Sequence, residues 1–204
     1  MRHQGKLSRS ISLPLVAAVA STLVVGACDD DDGPTGPSTE TNTEAMVVDE
    51  PEGSSTYSGD MAGDFQFAVS ADGETWTDVG SPNGITLLLQ DDSEVSVHGA
   101  QDAPLGTFPR VRLTIRNADV TIEQGSEIGG TTLASDATVS VGGPQGVIIE
   151  REITVPSLEE GEDLHVTFDL NSETWLTLDA VTSGLANDAA VAAAASVSTV
   201  VSTR

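Results

Sequence analysis

The chain has 204 residues, with 8 Lys and Arg against 32 Asp and Glu, and its formal net charge at pH 7 is −24. A chain this acidic repels nucleic-acid phosphates instead of releasing their counterions, which excludes nucleic acid as a partner. Cys28 is the only cysteine, so no disulfide can form within the chain. The length allows one domain of ordinary size with additional segments.

Residues 1–27 have the layout of a secretory signal peptide. Arg2, Lys6 and Arg9 precede the apolar run ISLPLVAAVASTLVV at 11–25, and no acidic residue occurs before Asp29. The apolar run is too short for a comfortable membrane span, and small residues follow it. We therefore expect an exported protein.

The residues VVGAC at 24–28 resemble the lipobox of bacterial lipoproteins, in which the cysteine becomes the acylated first residue of the mature chain. The resemblance implies lipidation of Cys28, for example with palmitate, and attachment to a membrane through the acyl chains without spanning it. Asp29 to Asp32 follow directly. In some bacteria an Asp at this place retains a lipoprotein in the inner membrane, but the rule varies, so inner and outer membrane both remain open.

Residues 28–63 are rich in Gly, Pro, Ser, Thr and acidic residues. This composition predicts a disordered tether, because it offers little apolar surface to offset the loss of chain entropy. The short run Ala45 to Val48 is the exception, and we expect it at most to dock as an edge strand.

Residues 64–182 are dominated by alternation of apolar and polar residues, which is typical of half-buried strands. The clearest runs are VRLTI at 111–115 and LHVTFDL at 164–170, and turn signals such as DG at 72–73 and GGP at 142–144 separate the runs. We predict an all-β fold, an antiparallel β-sandwich of seven to nine strands, with a small β-barrel as the alternative. Residues 183–204 are rich in Ala and Val, and we expect a loosely docked tail whose capped helical turns begin near Asn187.

The segment SADGETWTDV at 70–79 resembles the turn of sialidase Asp-box repeats and of discoidin-like carbohydrate-binding domains. The resemblance implies a structural hairpin in which Asp72 caps the turn and Gly73 takes a positive φ. It also makes Trp76 a candidate contact for a glycan.

Arg110, Arg112 and Arg116 fall on one face of a predicted strand in a chain with little other positive charge. Guanidinium groups suit carboxylates and anionic sugars, which makes the three arginines candidate ligand contacts. The simpler interpretation is cross-strand pairing with acidic residues such as Glu150 and Glu152.

No cofactor or metal site is expected from the motifs present. The acidic runs at 91–94 and 159–163 lack the spacing of a calcium loop, although weak calcium sites occur in β-sandwich loops. No catalytic motif is found, and a catalytic role for His98 or His165 would require an oriented carboxylate beside it in a cleft. We therefore expect no catalytic residues and no enzyme activity.

The order of lipobox, low-complexity segment and strands such as LGTFPRVRLTIRNADVTI and IIEREITVPSLEEGEDLHVTFDL resembles uncharacterised β-sandwich lipoprotein domains of bacteria. The resemblance implies a fold and no activity. We expect a lipid-anchored protein of the cell envelope with a binding or structural role and no catalysis, whose partner is an envelope protein or a glycan. The alternatives are a calcium-assisted carbohydrate-binding module using Trp76 and Trp175 and, less favoured, a hydrolase.

Overall fold

The alternating segments form strands in the computed structural model, which describes residues 43–51, 56–101, 109–155 and 161–203, with only the backbone of residues 99–101. The predicted signal peptide and the candidate lipidation site Cys28 lie outside these residues. Nine strands build two main sheets, and two very short strands form a separate ribbon.

The strands are β1 Thr43–Asp49, β2 Gly59–Ser70, β3 Thr77–Leu88, β4 Asp91–Gln101, β5 Arg110–Ile122, β6 Glu127–Ile128, β7 Thr131–Thr132, β8 Ala137–Val141, β9 Val147–Glu152, β10 Glu162–Asp169 and β11 Ser196–Thr203. The helices are α1 Ser172–Trp175, α2 Leu178–Ser183 and α3 Asp188–Ala194. Each of these helices is far shorter than a membrane span, and none found in the described ranges is a candidate for one.

The first sheet has the strand order β11-β10-β1-β4, and the second has the order β3-β2-β5, with β8 and β9 pairing successive halves of β5. Neither sheet closes on itself, so the predicted all-β sandwich is confirmed and the alternative barrel does not apply. One detail differs from a fully antiparallel arrangement, because β1 and β10 run parallel.

One core lies between the two sheets. Phe67 of β2 and Phe168 of β10 meet there edge to face, with ring centroids 6.2 Å apart and an interplanar angle of 72°. Both rings are buried, and such pairs add to the burial of apolar surface. Contact between these rings from different sheets shows directly that the sheets pack face to face.

A bulge in β5 decides which of its residues face the core. Asn117 has a φ of 49°, and the pairing of β5 with β2 shifts register beside it. The buried apolar residues before the bulge have odd numbers, whereas those after it have even numbers: Val111, Leu113, Ile115, Ala118, Val120 and Ile122. Because side chains alternate between the faces of a strand, the even-numbered arginines that precede the bulge lie on the outer face.

The predicted tether was too long, because β1 and the start of β2 fall within residues 28–63. β1 is not an edge strand either: it pairs with β10 on one side and with β4 on the other. Thr43, Ala45 and Val47 are buried on its inner face. The acidic and small residues around this short strand dominate the average composition, and they hide its alternation.

The prediction of a loosely docked C-terminal tail was wrong. β11 pairs with β10 over eight residues, and Val191 of α3 is fully buried. The predicted helix cap is confirmed, since the Asn187 side chain accepts hydrogen bonds from the backbone N–H groups of Ala189 and Ala190. At the other end of α3, the Arg151 guanidinium donates to the carbonyl of Ala192, which satisfies a carbonyl at the end of the helix.

Candidate functional site

The turn between β2 and β3 is held by its own side chains. Ser70 Oγ accepts a hydrogen bond from the Gly73 N–H at 2.8 Å, and Asp72 Oδ1 accepts from the N–H groups of Glu74 and Thr75, each at 2.8 Å. The donors at Thr75 and Glu74 lower the pKa of Asp72, because they favour its charged form. Gly73 has a φ of +77°, so the predicted structural hairpin is confirmed.

Trp76 leaves this turn and meets Arg112 of β5. The Arg112 Cζ atom lies 3.9 Å from the centroid of the Trp76 ring, a stacked geometry worth about 0.5–1 kcal/mol at exposed sites. Ala68 of β2 is the cross-strand neighbour of Arg112, and its methyl group leaves room above the sheet. The two large side chains therefore reach each other across the intervening strand.

Two of the three candidate arginines form ion pairs with acidic residues of β9. Arg112 Nε and Nη2 donate to Glu150 Oε1 at 3.0 and 2.5 Å, while Arg110 Nη2 lies 3.8 Å from Glu152 Oε2. The second pair is longer and more exposed, so its contribution to stability is small. The cross-strand interpretation of these arginines is thus confirmed for Arg110 and Arg112.

Arg116 differs from the other two arginines. Among the described residues it forms no ion pair, although Asp64 is its cross-strand neighbour on β2. Its stem packs beside Gly146, where an added Cβ would lie 2.8 Å from Arg116 Cγ. Arg116 therefore presents a positive charge on a sheet face that also holds Arg110, Arg112 and Trp76. We call these four side chains the Trp–Arg face.

Replacing Gly73 with Ala tests how the turn supports this face. The positive φ should cost about 1–3 kcal/mol of the free energy of unfolding, as measured by chemical denaturation. The added Cβ would also lie 2.8 Å from Arg110 Cδ, and we expect the flexible guanidinium end to swing away. Gly130→Ala is the matched control, because Gly130 has the same φ and open space around it. A much larger loss for Gly73→Ala than for Gly130→Ala would show that Arg110 cannot move.

Trp175 does not join the Trp–Arg face. It is 2% exposed, and its indole N–H donates to the Leu170 carbonyl at 3.1 Å. The alternative in which Trp175 contacts a glycan is contradicted by this burial, because the side chain, at the end of α1, belongs to the core.

The residues described by the structure contain no group of three or more His, Cys, Asp or Glu side chains that could hold a metal ion. In the acidic run at 91–94, Asp91 accepts a hydrogen bond from the Ser93 N–H at 2.8 Å, which shapes the turn. Residues 159 and 160 of the other run lie outside the described part. His98 packs against Gly80, and burial lowers its pKa.

A buried polar cluster connects the end of β1 with α1, and the sequence analysis missed it. Asp49 is fully buried, and its carboxylate accepts hydrogen bonds from the Ser172 N–H at 2.7 Å, from the Gln90 N–H at 2.8 Å and from the Ser172 hydroxyl. Ser172 Oγ lies 2.6 Å from Tyr57 Oη, to which the Gln90 amide also donates at 3.0 Å. These residues lie far apart in sequence, so no local motif predicts the cluster.

A cleft of about 330 Å³ opens beside this cluster. Tyr57, Ile128 and Leu176 line it together with the carboxylates of Glu127 and Glu173, and none of its lining residues belongs to the Trp–Arg face.

Tyr57 should control the stability of the protein at alkaline pH. Burial raises the pKa of Tyr57 above the ordinary value of 10.0, while its hydrogen bond with Ser172 acts in the opposite direction. The resulting stability is present in full below pH 10, and it is lost as the pH rises toward the pKa of the folded state, because the unfolded chain loses its proton first.

Phenolate absorbance measures this titration cleanly, since Tyr57 is the only tyrosine of the chain. We expect the phenol to ionise well above pH 10 in the folded protein and near 10 in denaturant. Ionisation at the same pH in both states would contradict the burial of the hydroxyl.

The sequence was also compared with known proteins. No protein-family model, no curated protein and no solved structure matches the chain.

Proposed function

We propose that this protein is a lipid-anchored protein of the bacterial cell envelope, whose β-sandwich binds a ligand without transforming it. The lipobox-like residues VVGAC at 24–28 support the anchor. The Trp–Arg face supports the binding role, because it exposes cations and an aromatic ring on one sheet of a strongly acidic protein.

The observation that most directly supports a binding role is the stacking of the Arg112 guanidinium on the Trp76 ring. Glu150 satisfies Arg112, so this pair forms a fixed platform. Arg110 has a weak partner and Arg116 has no ion-pair partner in the described part of the chain, so these two guanidinium groups are available to a ligand. An aromatic platform between guanidinium forks suits a glycan that carries carboxylates.

The charge of the whole protein limits how such a ligand binds. With a net charge of −24, long-range electrostatics repel an anionic glycan. Affinity must therefore come from short-range hydrogen bonds to the arginines and from contact with Trp76. We expect binding to improve at moderate salt, which screens the repulsion.

The binding proposal is tested with oligomers of uronic acid and with neutral oligomers of the same length. We expect calorimetry to detect only the acidic oligomers and Arg116→Gln to weaken their binding at least about tenfold, since a charge-assisted hydrogen bond contributes about 1.5–3 kcal/mol. Arg116→Lys keeps the positive charge but removes the planar guanidinium, so it separates the contribution of charge from that of paired hydrogen bonds. Leu185→Ala, at an exposed site between α2 and α3, should change nothing. Failure of the wild-type protein to bind any acidic oligomer would refute the proposal.

The anchor is tested separately by intact mass of the protein extracted from membranes. The expected species has lost residues 1–27 and carries lipid on Cys28, and Cys28→Ala should appear in the soluble fraction. An unmodified Cys28 would contradict the anchor and leave the binding test unaffected.

A calcium-assisted mode has less support, since Trp175, one of its two proposed glycan contacts, is buried. We expect millimolar Ca²⁺ to leave the melting temperature unchanged. A ligand present at 100 times its Kd would add about 2.7 kcal/mol to the free energy of unfolding, so an increase in melting temperature would favour the calcium-assisted module.

A further inference from the structure

Three polar side chains form a row on the outer face of the four-stranded sheet. Ser202 of β11 has its Oγ atom 2.7 Å from His165 Nε2, and His165 Nδ1 lies 3.2 Å from Glu44 Oε2. The side chains of His165 and Glu44 are 25% and 28% exposed, and Ser202 is half-buried. The row is thus open to solvent without being freely mobile.

Strand register creates this row. Glu44 of β1 lies directly opposite His165 of β10, and His165 lies opposite Val200 of β11, two residues before Ser202. Residues two apart share a face of a strand, so Ser202 reaches the imidazole on the diagonal. The Ser202 hydroxyl therefore contacts Nε2 of the imidazole, and the Glu44 carboxylate contacts Nδ1.

This order of groups is that of a nucleophile, its base and the group that orients the base. When Glu44 accepts the Nδ1–H, the imidazole is held in the tautomer whose Nε2 can accept the proton of the Ser202 hydroxyl. Activation of serine requires this hydrogen-bond chain, and the three side chains form it.

We propose that Ser202 is an activated nucleophile that accepts acyl groups from small carboxylic esters, a role distinct from ligand binding at the Trp–Arg face. Ser202 Oγ forms a bond with the acyl carbon while its proton passes to His165 Nε2. The bond between the acyl carbon and the leaving oxygen breaks, and that oxygen takes the proton from His165. Water then attacks the acyl carbon while His165 Nε2 takes its proton, the bond between the acyl carbon and Ser202 Oγ breaks, and Oγ takes the proton from His165. The products are the free carboxylic acid and the original serine.

The position of β11 favours unhindered substrates. β11 is the edge strand of its sheet, and successive residues of an antiparallel strand point their N–H groups alternately toward and away from the neighbour. One of the N–H groups of Ser202 and Thr203 therefore points away from β10, on the open side of the sheet. The described cleft beside Tyr57 does not include these residues, so we expect little selectivity for the acyl group.

The sequence-based expectation of no catalytic residues rested on local motifs. Positions 44, 165 and 202 lie on three strands that only the folded sheet brings together. A carboxylate oriented toward His165, one of the two features that catalysis was expected to require, is present, and the cleft beside Tyr57 is lined by other residues.

Acylation is tested on the purified full chain with p-nitrophenyl acetate, by intact mass and peptide mapping. Ser198 provides the matched control, because it lies on the same strand and the same outer face, is exposed and is paired with Thr167 instead of a histidine. We compare the wild-type protein with Ser202→Ala, Ser198→Ala and His165→Gln, after thermal melts have shown that each variant is folded.

We expect acetyl groups on Ser202 and none on Ser198, with release of p-nitrophenol abolished by Ser202→Ala and unchanged by Ser198→Ala. His165→Gln should slow acylation of Ser202 at least about tenfold, since a positioned general base contributes about 10²–10⁴. Equal labelling of the two serines, or unchanged labelling in folded His165→Gln, would overturn the proposal and leave the row as a structural hydrogen-bond chain. If His165→Gln does not fold, the comparison of Ser202→Ala with Ser198→Ala decides.

Discussion

Replacement of Asp49 by alanine is expected to lower the free energy of unfolding by about 3–5 kcal/mol. The substitution removes the acceptor of the N–H groups of Gln90 and Ser172, and a buried donor without a partner costs about 1–3 kcal/mol. The Ser172 hydroxyl loses its acceptor as well, so these costs add to one another. Chemical denaturation followed by tryptophan fluorescence measures the loss.

The control for Asp49 is another carboxylate that accepts a backbone N–H. Asp136 accepts from the Gln124 N–H at 2.8 Å in an exposed turn, where water can replace it. Asp136→Ala should therefore cost about 1 kcal/mol or less. Similar losses for Asp49→Ala and Asp136→Ala would mean that the cluster at the end of β1 is hydrated and is not a buried junction.

Replacement of Phe168 by alanine should cost about 3–5 kcal/mol of the free energy of unfolding. Phe168 is fully buried on a strand that has neighbours on both sides, so the surrounding backbone cannot easily close the cavity. The edge-to-face contact with Phe67 is lost in addition. The transition in denaturant should move to lower concentration with an unchanged slope.

Val200→Ala is the comparison for Phe168→Ala on the same sheet. Val200 is 60% exposed on β11, so its truncation should change the stability by less than about 0.5 kcal/mol. An equally small effect of Phe168→Ala would place its ring outside the core and would contradict the face-to-face packing of the sheets.

The strands were predictable where apolar and polar residues alternate without interruption. LHVTFDL at 164–170 buries Leu164, Val166 and Phe168 as the pattern requires, and the turn at 70–75 forms through the side chains that its sequence indicated. β1 was not predictable, since its alternation is brief and its residues are mostly small or polar. What stabilises β1 is its neighbours β4 and β10, which lie far away in the sequence.

The sequence predicted which residues belong to the candidate site but not the contacts between them. The sequence placed three arginines on one strand face and singled out Trp76, but the contact between Arg112 and Trp76 depends on the small Ala68 between them. The clusters around Asp49 and His165 escaped the sequence analysis for the same reason. The residues that these clusters join lie 33 to 123 residues apart in the sequence, so local spacing does not reveal the contacts between them.

The central position of β1 has a mechanical consequence if the chain is anchored at Cys28. Only residues 29–42 separate that cysteine from the strand, a distance of at most about 50 Å when fully extended. Any force between membrane and domain would therefore enter the domain at Thr43, the first residue of β1. Because β4 and β10 both pair with this strand, two rows of hydrogen bonds would have to break before it could be pulled out.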